Sequence, residues 1–358
     1  MAAQRVAGEK GRFTVKVLVT GASGFLGSHI VDACLRGGDT VRVLVREESD
    51  ISRLRTLPVE LVFGDLRDPV SLRRAADGID VVHHSAARVT DRGSPAQFRD
   101  ANVDGTRRLM SAASNAGVRR FVFISSPSAL MGIRDGDRLG IDESEPYPKK
   151  FLNWYSKTKA AAERLVVAAN RADFTTVALR PRAIWGPRDY FGFMPRLLAK
   201  MMTGSLPDLS AGRPVYASLC YCENAAAASV RASRAQGVGG RAYFIADPEP
   251  VEVWSTLADL AERYGAIPPT RRVRRAPLQA LAFATDMLWK LPPLARYAAP
   301  PVSRYSLALL TRSATYDVSA ARRDLTAPAV DHQTGMTKLS AWIDEIGGVD
   351  EFIRKAQS

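Results

Sequence analysis

The tyrosine and the second lysine of Tyr155-Ser156-Lys157-Thr158-Lys159 stand four residues apart inside a helical pattern. Side chains at that spacing share a helix face, so the Lys159 ammonium can approach the Tyr155 phenol. A nearby cation favours the phenolate and draws a pKa of about 10 toward neutrality, where a phenol can exchange a proton. Tyr-x-x-x-Lys by itself is also an ordinary helix turn, so its meaning depends on what lies upstream. There FVFISS (121–126) reads as a strand with Ser125, Ser126 and Ser128 at its carboxyl end, the edge where open α/β sheets bind ligands. A serine at that edge can hydrogen-bond a carbonyl that Tyr155 protonates, and residues 127–150 are long enough to form a loop covering both.

The elements that must hold these groups begin at TVKVLVT (14–20), a β-branched run that reads as a buried parallel strand. Gly21-Ala22-Ser23-Gly24-Phe25-Leu26-Gly27 follows at once and leads into a helical pattern. Strand, glycine turn and helix in this order form a dinucleotide-binding unit, in which Gly21, Ser23, Gly24, Phe25, Leu26 and Gly27 bring backbone close to a pyrophosphate that the helix N-terminus stabilises. The helix ends at Gly37-Gly38, and TVRVLV (40–45) is the second strand. Arg46 closes that strand, where an acidic residue would accept the 2′-hydroxyl of NAD; arginine suits a 2′-phosphate. NADP(H) is therefore the expected cofactor and NAD(H) the alternative, in which Arg46 faces solvent and Glu47 or Glu48 takes the ribose.

LVFGD (61–65) and DVVHHSAA (80–87) are two further strands. Asp65 can accept from the adenine amino group, and Ala86 and Ala87 leave room at the ribose. His83 and His84 are adjacent, point to opposite faces of a strand and cannot share a metal, so packing roles are expected and no metal site is assigned. Asn102-Val103-Asp104-Gly105-Thr106 opens the next helix.

Taken together, Gly21 to Gly27, Asp65, Asn102-x-x-Gly-Thr, the Ser-Ser strand end, Tyr155-x-x-x-Lys159 and ALRPRAIWGPRD (178–189) resemble the extended short-chain dehydrogenase/reductase superfamily over about residues 14–245. FVFISSPSAL, FLNWYSKTKAAAERLVVAAN and Tyr221-Cys222-Glu223-Asn224 downstream of RPRAIWGP are similar to its 3β-hydroxysteroid dehydrogenase group, which includes sterol-4-carboxylate dehydrogenases and 2-alkyl-3-oxoalkanoate reductases. The resemblance implies that Tyr155 donates or accepts the proton, Lys159 binds the nicotinamide ribose and lowers the tyrosine pKa, and Ser126 orients the carbonyl. It further implies that Asn102 supports the cofactor and a proton-relay water, with Leu66 and Pro181 among the cofactor contacts and Ser128 on the substrate side. Where many relatives carry Arg-Pro-His, this chain has Arg180-Pro181-Arg182, and an arginine at Arg182 suits a substrate anion or lies on the surface.

Beyond Pro187 the strand and helix alternation breaks down. YFGFMPRLLAKMM (190–202) supplies Phe191, Phe193 and Met194 where the superfamily places its substrate lid. WSTLADLAERYG (254–265) reads as an amphipathic helix ended by glycine. In residues 271–301 a basic strand leads into an apolar helix from Pro277 to Trp289, stopped by Pro292-Pro293 and interrupted by Asp286. Leu278, Leu281, Thr285 and Leu288 fall on one face of it, with Phe283 and Met287 elsewhere. Thirteen residues do not cross a bilayer, which leaves a lid helix packed on the substrate domain, with Phe283 assigned to the substrate, or an interfacial helix flanked by arginines. SATYDVSAARRDL and a helix through Phe352 resemble the family's closing strand and helix.

Composition frames these readings. A chain of 358 residues, 46% apolar and 24% charged, is globular in type. The net charge of +13 rests mostly on arginine doublets dispersed along the chain, which argues against nucleic acid and for an anionic cofactor, substrate or membrane surface. Cys34, Cys220 and Cys222 are too few for a disulfide framework and read as reduced thiols, and residues 1–13 read as a loose tail without a signal-peptide core. The expected architecture is α/β: a doubly wound parallel-sheet Rossmann domain over 14–186, with returning elements at about 215–246, and a smaller discontinuous substrate domain over 187–214 and 247–358. The expected protein is a cytoplasmic, homodimeric NAD(P)-dependent oxidoreductase acting on a large apolar 3-oxo or 3-hydroxy substrate, with peripheral membrane contact as an option. Sugar-nucleotide epimerase or reductase chemistry and a catalytically silent NADP-binding regulator are the alternatives.

Overall fold

The computed structural model describes residues 14–90, 93–133, 135–190, 192–273, 275–288, 304–325 and 329–357, apart from the side chains of residues 275, 276, 278, 279, 286 and 357. Among the described residues thirteen strands run in chain order: β1 (Lys16–Thr20), β2 (Thr40–Val45), β3 (Val59–Phe63), β4 (Val81–His84), β5 (Arg120–Ile124), β6 (Arg138–Ile141), β7 (Thr175–Pro181), β8 (Ile184–Trp185), β9 (Tyr216–Ala217), β10 (Cys220–Tyr221), β11 (Arg241–Ile245), β12 (Val251–Glu252) and β13 (Ala314–Tyr316). Seven of them form a parallel sheet in the order β11-β7-β5-β4-β1-β2-β3. The β-branched and aromatic runs of β1, β4 and β5 are buried on both faces, as a sheet covered by helices on each side requires. The strand order reverses between β1 and β4, and the crevice at such a switch point is where open α/β sheets take their ligands.

Helices α1 (Phe25–Arg36) and, much later, α7 (Cys222–Ala232) pack together against one face, burying Ile30, Val31 and Ala226 on Val19, Val43 and Val122. Between them in the chain, after α2 (Pro69–Ala76) and the short α3 (Pro95–Arg99), come α4 (Gly105–Asn115) and α5 (Trp154–Ala168); α2, α4 and α5 cover the other face through Leu72, Leu109 and Ala162 on Leu18, Val82 and Phe123. Each fully buried leucine or isoleucine of this kind contributes roughly 1.5–3 kcal/mol of transfer free energy.

The second lobe gathers around Trp185, Tyr221, Leu257, Leu339 and Phe352. It is built from α6 (Phe193–Met202), α8 (Val253–Arg263), α9 (Arg275–Leu288), α10 (Arg304–Thr311), α12 (His332–Glu345) and α13 (Val349–Gln357), while α11 (Ser319–Leu325) packs back on β11 and α7 of the first lobe through Ala321 and Leu325. The expected helix through Phe352 is two helices, because Gly347 and Gly348 take φ of 108° and 95° and break it.

RAYFI, among the returning elements, is the outermost strand of the main sheet. One expectation is revised by the topology: the stretch 127–150 is more than a covering loop, because a 3₁₀ turn at Pro127–Leu130 leads to β6, which pairs with β13 in a four-stranded sheet ordered β12-β9-β13-β6. The α9 expectation also changes. Among its described side chains Ala282 and Thr285 are buried, Ala282 packed with Leu209 and Leu307, while Leu281, Phe283, Met287 and Leu288 are about half exposed. No helix of the described residues is long and apolar enough to cross a membrane.

Candidate active site

At the switch point Gly21 takes φ of 72° and lies so close to the end of β4 that a Cβ there would stand 2.7 Å from Ala86 N. A Cβ on Gly27 would stand 1.9 Å from Gly21 O. Both positions exclude side chains, which keeps the turn tight and its backbone open to the cleft. Gly24, at the N-cap of α1, offers no side chain to the first-turn amides, so these are available to an anion. Gly21, Ser23, Gly24, Phe25, Leu26, Gly27, Arg46, Asp65, Leu66, Ala86, Ala87 and Pro181 all line one continuous cleft of about 2110 Å³. A glycine cradle, a free helix N-terminus and a cationic end fit a nicotinamide dinucleotide, which these residues would hold.

At the adenosine end Arg46 is largely exposed and pairs with Glu48 at 3.1 Å. Asp65 is engaged by Arg67, at 2.8 Å to Nε, and that contact holds its carboxyl below the usual aspartate range. Arg67 lines the same cleft, so two arginines stand at this end of it. Sequence reasoning passed over Arg67, although its place two residues beyond Asp65 was the available signal.

The reacting groups sit where β5 ends and α5 begins. Asn153 caps α5 by accepting from Ser156 N at 2.8 Å, and this starts the helix so that Tyr155 and Lys159 both face the cleft. Burial raises the Tyr155 phenol above the ordinary tyrosine value, Tyr305 adds to the rise, and a hydrogen bond with Ser126 opposes it. The lowering expected from Lys159 does not appear: its ammonium is turned to Ile124 O and the Phe123 ring, and burial of the phenol prevails. Lys159 is buried, donates to Ile124 O at 2.7 Å and lies over the Phe123 ring at 4.8 Å. Burial lowers its pKa to about 8, against the pull of Glu163 one turn on. Glu163 in turn holds Arg180 through two contacts of 2.9 and 2.8 Å and accepts from Tyr147 Oη at 2.5 Å. Neither Glu163 nor Tyr305 stood out in the sequence, because nothing in α5 or α10 marks which polar residue turns inward.

Asn102 lies in a π-helical turn, Asp100–Asp104, and is buried. Its Oδ1 accepts from Arg88 N at 2.7 Å, and its Nδ2 donates to Arg88 O at 3.2 Å and to Thr158 Oγ1 at 3.1 Å. Both amide hydrogens are therefore spent on the protein, and the residue clamps the β4 loop to α5 from behind the cleft. His83 and His84 lie on opposite faces of β4, bonded to Ser229 and to Thr20 and Thr106, and burial lowers each to about 3. No group of three His, Cys, Asp or Glu among the described residues is placed to hold a metal ion.

On the substrate side Ser128 bonds the Tyr305 hydroxyl at 2.9 Å, and Ser128, Arg182, Phe193 and Met194 line the cleft. Leu206, Leu209, Leu219, Leu257, Leu307 and Leu310 extend its apolar wall. Phe283 does not join them: its ring is 54% exposed on the outer side of α9, under the Arg304 guanidinium. Helical periodicity groups α9's residues by face but does not say which face is packed, and the small residues won the inner one. Phe191 and Trp289 lie outside the described residues.

The sequence profile of the 3-beta hydroxysteroid dehydrogenase/isomerase family matches residues 18–275. The chain is 36% identical, over 91% of its length and 96% of the relative's, to the 4-hydroxy-2-methyl-3-oxo-4-farnesyl-3,4-dihydroquinoline-1-oxide ketoreductase of Stigmatella aurantiaca. It is 34% identical, over 91% and 99%, to the 2-alkyl-3-oxoalkanoate reductase of Stenotrophomonas maltophilia. Among solved structures, gox2253 aligns with a TM-score of 0.75 at 26% identity over 93% of this chain and 98% of its own. MoeE5, solved with UDP-glucose and NAD, aligns with a TM-score of 0.69 at 26% identity over 92% and 99%. The chain belongs to the 3-beta hydroxysteroid dehydrogenase/isomerase family of extended short-chain dehydrogenase/reductases and is an NAD(P)-dependent oxidoreductase.

Proposed function

We propose that this chain is an NADP(H)-dependent ketoreductase that interconverts the 3-oxo and 3-hydroxy forms of a large apolar substrate. The observation that carries the reading is that Ser126, Tyr155 and Lys159 converge on the same cleft as the glycine turn, and that leucines, Phe193 and Met194 form an apolar stretch of its wall, with Arg196, Lys200 and Arg263 among its charged lining. A bound nicotinamide supplies or accepts the hydride at its C4. The protein's part in reduction is to hold the substrate carbonyl on the Ser126 hydroxyl and to deliver the Tyr155 phenolic proton to the oxygen as the carbon receives hydride, which leaves an alcohol and a phenolate. Lys159 holds the ribose edge and stabilises that phenolate until solvent reprotonates it. In the oxidative direction the same proton returns to Tyr155.

Arg46 and Arg67 support the choice of NADPH, since a 2′-phosphate would gain charge-assisted hydrogen bonds that a 2′-hydroxyl cannot. The apolar wall favours an alkyl or polycyclic body over a sugar diphosphate, whose polar groups would lose water at roughly 1–3 kcal/mol each. The names of the ketoreductase and 2-alkyl-3-oxoalkanoate reductase relatives point the same way. The test is NADPH oxidation followed at 340 nm with 3-oxo steroids, long-chain 3-oxo compounds and UDP-glucose. Turnover of the apolar ketones and not of UDP-glucose is expected. The reverse result would replace this reading with sugar-nucleotide chemistry, and silence with every substrate would favour a regulator that only binds NADP.

A further inference from the structure

Ser126 and Ser128 stand two residues apart where β5 gives way to the 3₁₀ turn at Pro127–Leu130, and each bonds a tyrosine that lines the cleft. Ser126 bonds Tyr155, carried by α5 of the first lobe. Ser128 Oγ bonds the Tyr305 hydroxyl at 2.9 Å, and Tyr305 is carried by α10 of the second lobe. The two pairs are joined through the backbone, because the Ser126 side chain caps the turn by accepting from Ser128 N at 3.2 Å. A hydrogen-bonded chain therefore runs from α10 through Ser128 and Ser126 to the Tyr155 phenol. Ser128 is buried, so water competes little for its hydroxyl.

The polarity of this chain bears on Ser126. A serine hydroxyl has one hydrogen and two acceptor lone pairs, and the hydrogen rotates to suit its partners. A backbone N–H only donates. The Ser128 amide thus fills one lone pair of Ser126 and turns the Ser126 hydrogen away from itself, toward the phenol and the cleft, where a carbonyl oxygen would accept it. The turn places that amide from within, through Ala129 N to Ser126 O and Met131 N to Ser128 O, each 3.0 Å. Tyr305 places it from outside. Its helix is anchored in turn: Leu307 packs with Leu209 and Ala282, and Thr311 O accepts from Arg213 at 2.8 Å.

We propose that Tyr305 is a positioning residue of the reaction: its bond to Ser128 fixes the serine turn, and with it the Ser126 hydroxyl that serves Tyr155. The second lobe then does more than wall the substrate, because it completes the proton-donating side of the site. The roles of Ser126 and Tyr155 come from the ketoreductase reading, on which this proposal rests, whereas the latch between Tyr305 and Ser128 has a readout without turnover.

The test measures kcat and KM for NADPH-dependent reduction of methyl 3-oxotetradecanoate and of androstan-3-one by the full chain. The variants are Tyr305→Phe, Ser128→Ala and Ser126→Ala, with Tyr305→Phe also combined in turn with each serine change. NADP⁺ titration checks that each protein is folded. Hydrogen exchange of the NADP⁺-loaded proteins follows the amides of residues 127–131, with no ketone present.

Tyr305→Phe should lower kcat about tenfold, the size of effect that one lost hydrogen bond carries, while KM and NADP⁺ affinity stay within about twofold. Ser128→Ala should match it, and the two together should be no slower than either alone. In the Ser126→Ala background Tyr305→Phe should cost less than about twofold, since residues acting through one another are not additive. Exchange at 127–131 should quicken in Tyr305→Phe. An unchanged kcat, a loss confined to KM, an equal cost of Tyr305→Phe with and without Ser126, or unchanged exchange would overturn the proposal and leave Tyr305 a packing or substrate-contact residue. Quicker exchange in Tyr305→Phe, with neither ketone reduced by the wild type, would uphold the latch and count against the ketoreductase reading.

Discussion

Asn102 Nδ2 donates to Thr158 Oγ1 across 56 residues of sequence, at 3.1 Å, and ties the turn behind the β4 loop to the helix that carries Tyr155 and Lys159. The same side chain holds the Arg88 backbone at both its N–H and its carbonyl. Asn102→Ala removes three buried hydrogen bonds and leaves Arg88 N–H without this acceptor. It should lower stability by roughly 1–3 kcal/mol, the usual cost of unsatisfied buried polar groups, and weaken cofactor binding as the loop loosens. Urea denaturation and NADP⁺ titration check this; a variant as stable as the wild type would show that the clamp is incidental.

Tyr155→Phe keeps the ring that fills the floor of the cleft and removes the proton. Cofactor affinity should hold while kcat falls about a hundredfold or more, the range for a lost general acid. Near-normal kcat in the phenylalanine variant would assign the proton to another group, with Tyr305 the next to examine because its hydroxyl is already bonded to Ser128.

Replacing Arg46 by Ala should reduce the NADPH over NADH preference in kcat/KM by tenfold or more, since a charge-assisted contact to phosphate contributes roughly 1.5–3 kcal/mol. Arg67→Ala should reduce it further and also release Asp65. An unmutated protein that uses both cofactors equally would remove the 2′-phosphate reading.

Lys159 carries a pH signature. Burial lowers its pKa in the folded protein to about 8 from 10.5, so between those values the unfolded chain binds more protons than the folded one. Stability contributed at this position therefore rises with pH through that window; below about 8 the cost of burying the ammonium is constant. Comparing the wild type with Lys159→Met cancels contributions that do not titrate, including the lost bond to Ile124 O. The wild type should gain on the variant by about 2 kcal/mol between about pH 7 and pH 9.5, measured by urea denaturation at each pH. A pH-independent difference would mean that the ammonium is solvated in the folded state.

The apolar wall predicts a chain-length series. Each added methylene buried in the cleft contributes about 0.8 kcal/mol, so kcat/KM for ketones should climb about fourfold per carbon until the cleft is full. Phe193→Glu should flatten that climb, whereas Phe283→Glu, on the outer side of α9, should leave it intact. A series that is flat in the wild type would argue that the leucines only pack the lobe.

The parts of this molecule that read clearly from sequence are those in which local chemistry and geometry coincide. A Cβ cannot exist at Gly21 or Gly27, so the glycine turn has no competing explanation, and TVRVLV is the second strand to the residue. Tyr155 and Lys159 share a helix face because the helix period leaves no choice. What failed to show depended on distant partners. Tyr305 reaches Ser128 only because α10 folds back over a segment 177 residues away, and Phe283 lies outside the cleft because the face of α9 that carries Ala282 is the one packed on Leu209 and Leu307. Arg182 was visible as a departure from a pattern, but only the structure shows it buried, with no ion pair among the described residues.

The pairing of β6 with β13 sews the chain end to the segment between Ser126 and Tyr155. A protease cut or stop codon ahead of Ala314 would thus do more than shorten the substrate lobe: it would strip β6 of its neighbour and unmoor the crossover that sets Ser126 opposite the phenol. A truncated chain ending after β11 should therefore bind dinucleotide poorly and catalyse nothing even though every glycine of the turn and both members of the Tyr155 and Lys159 pair are present.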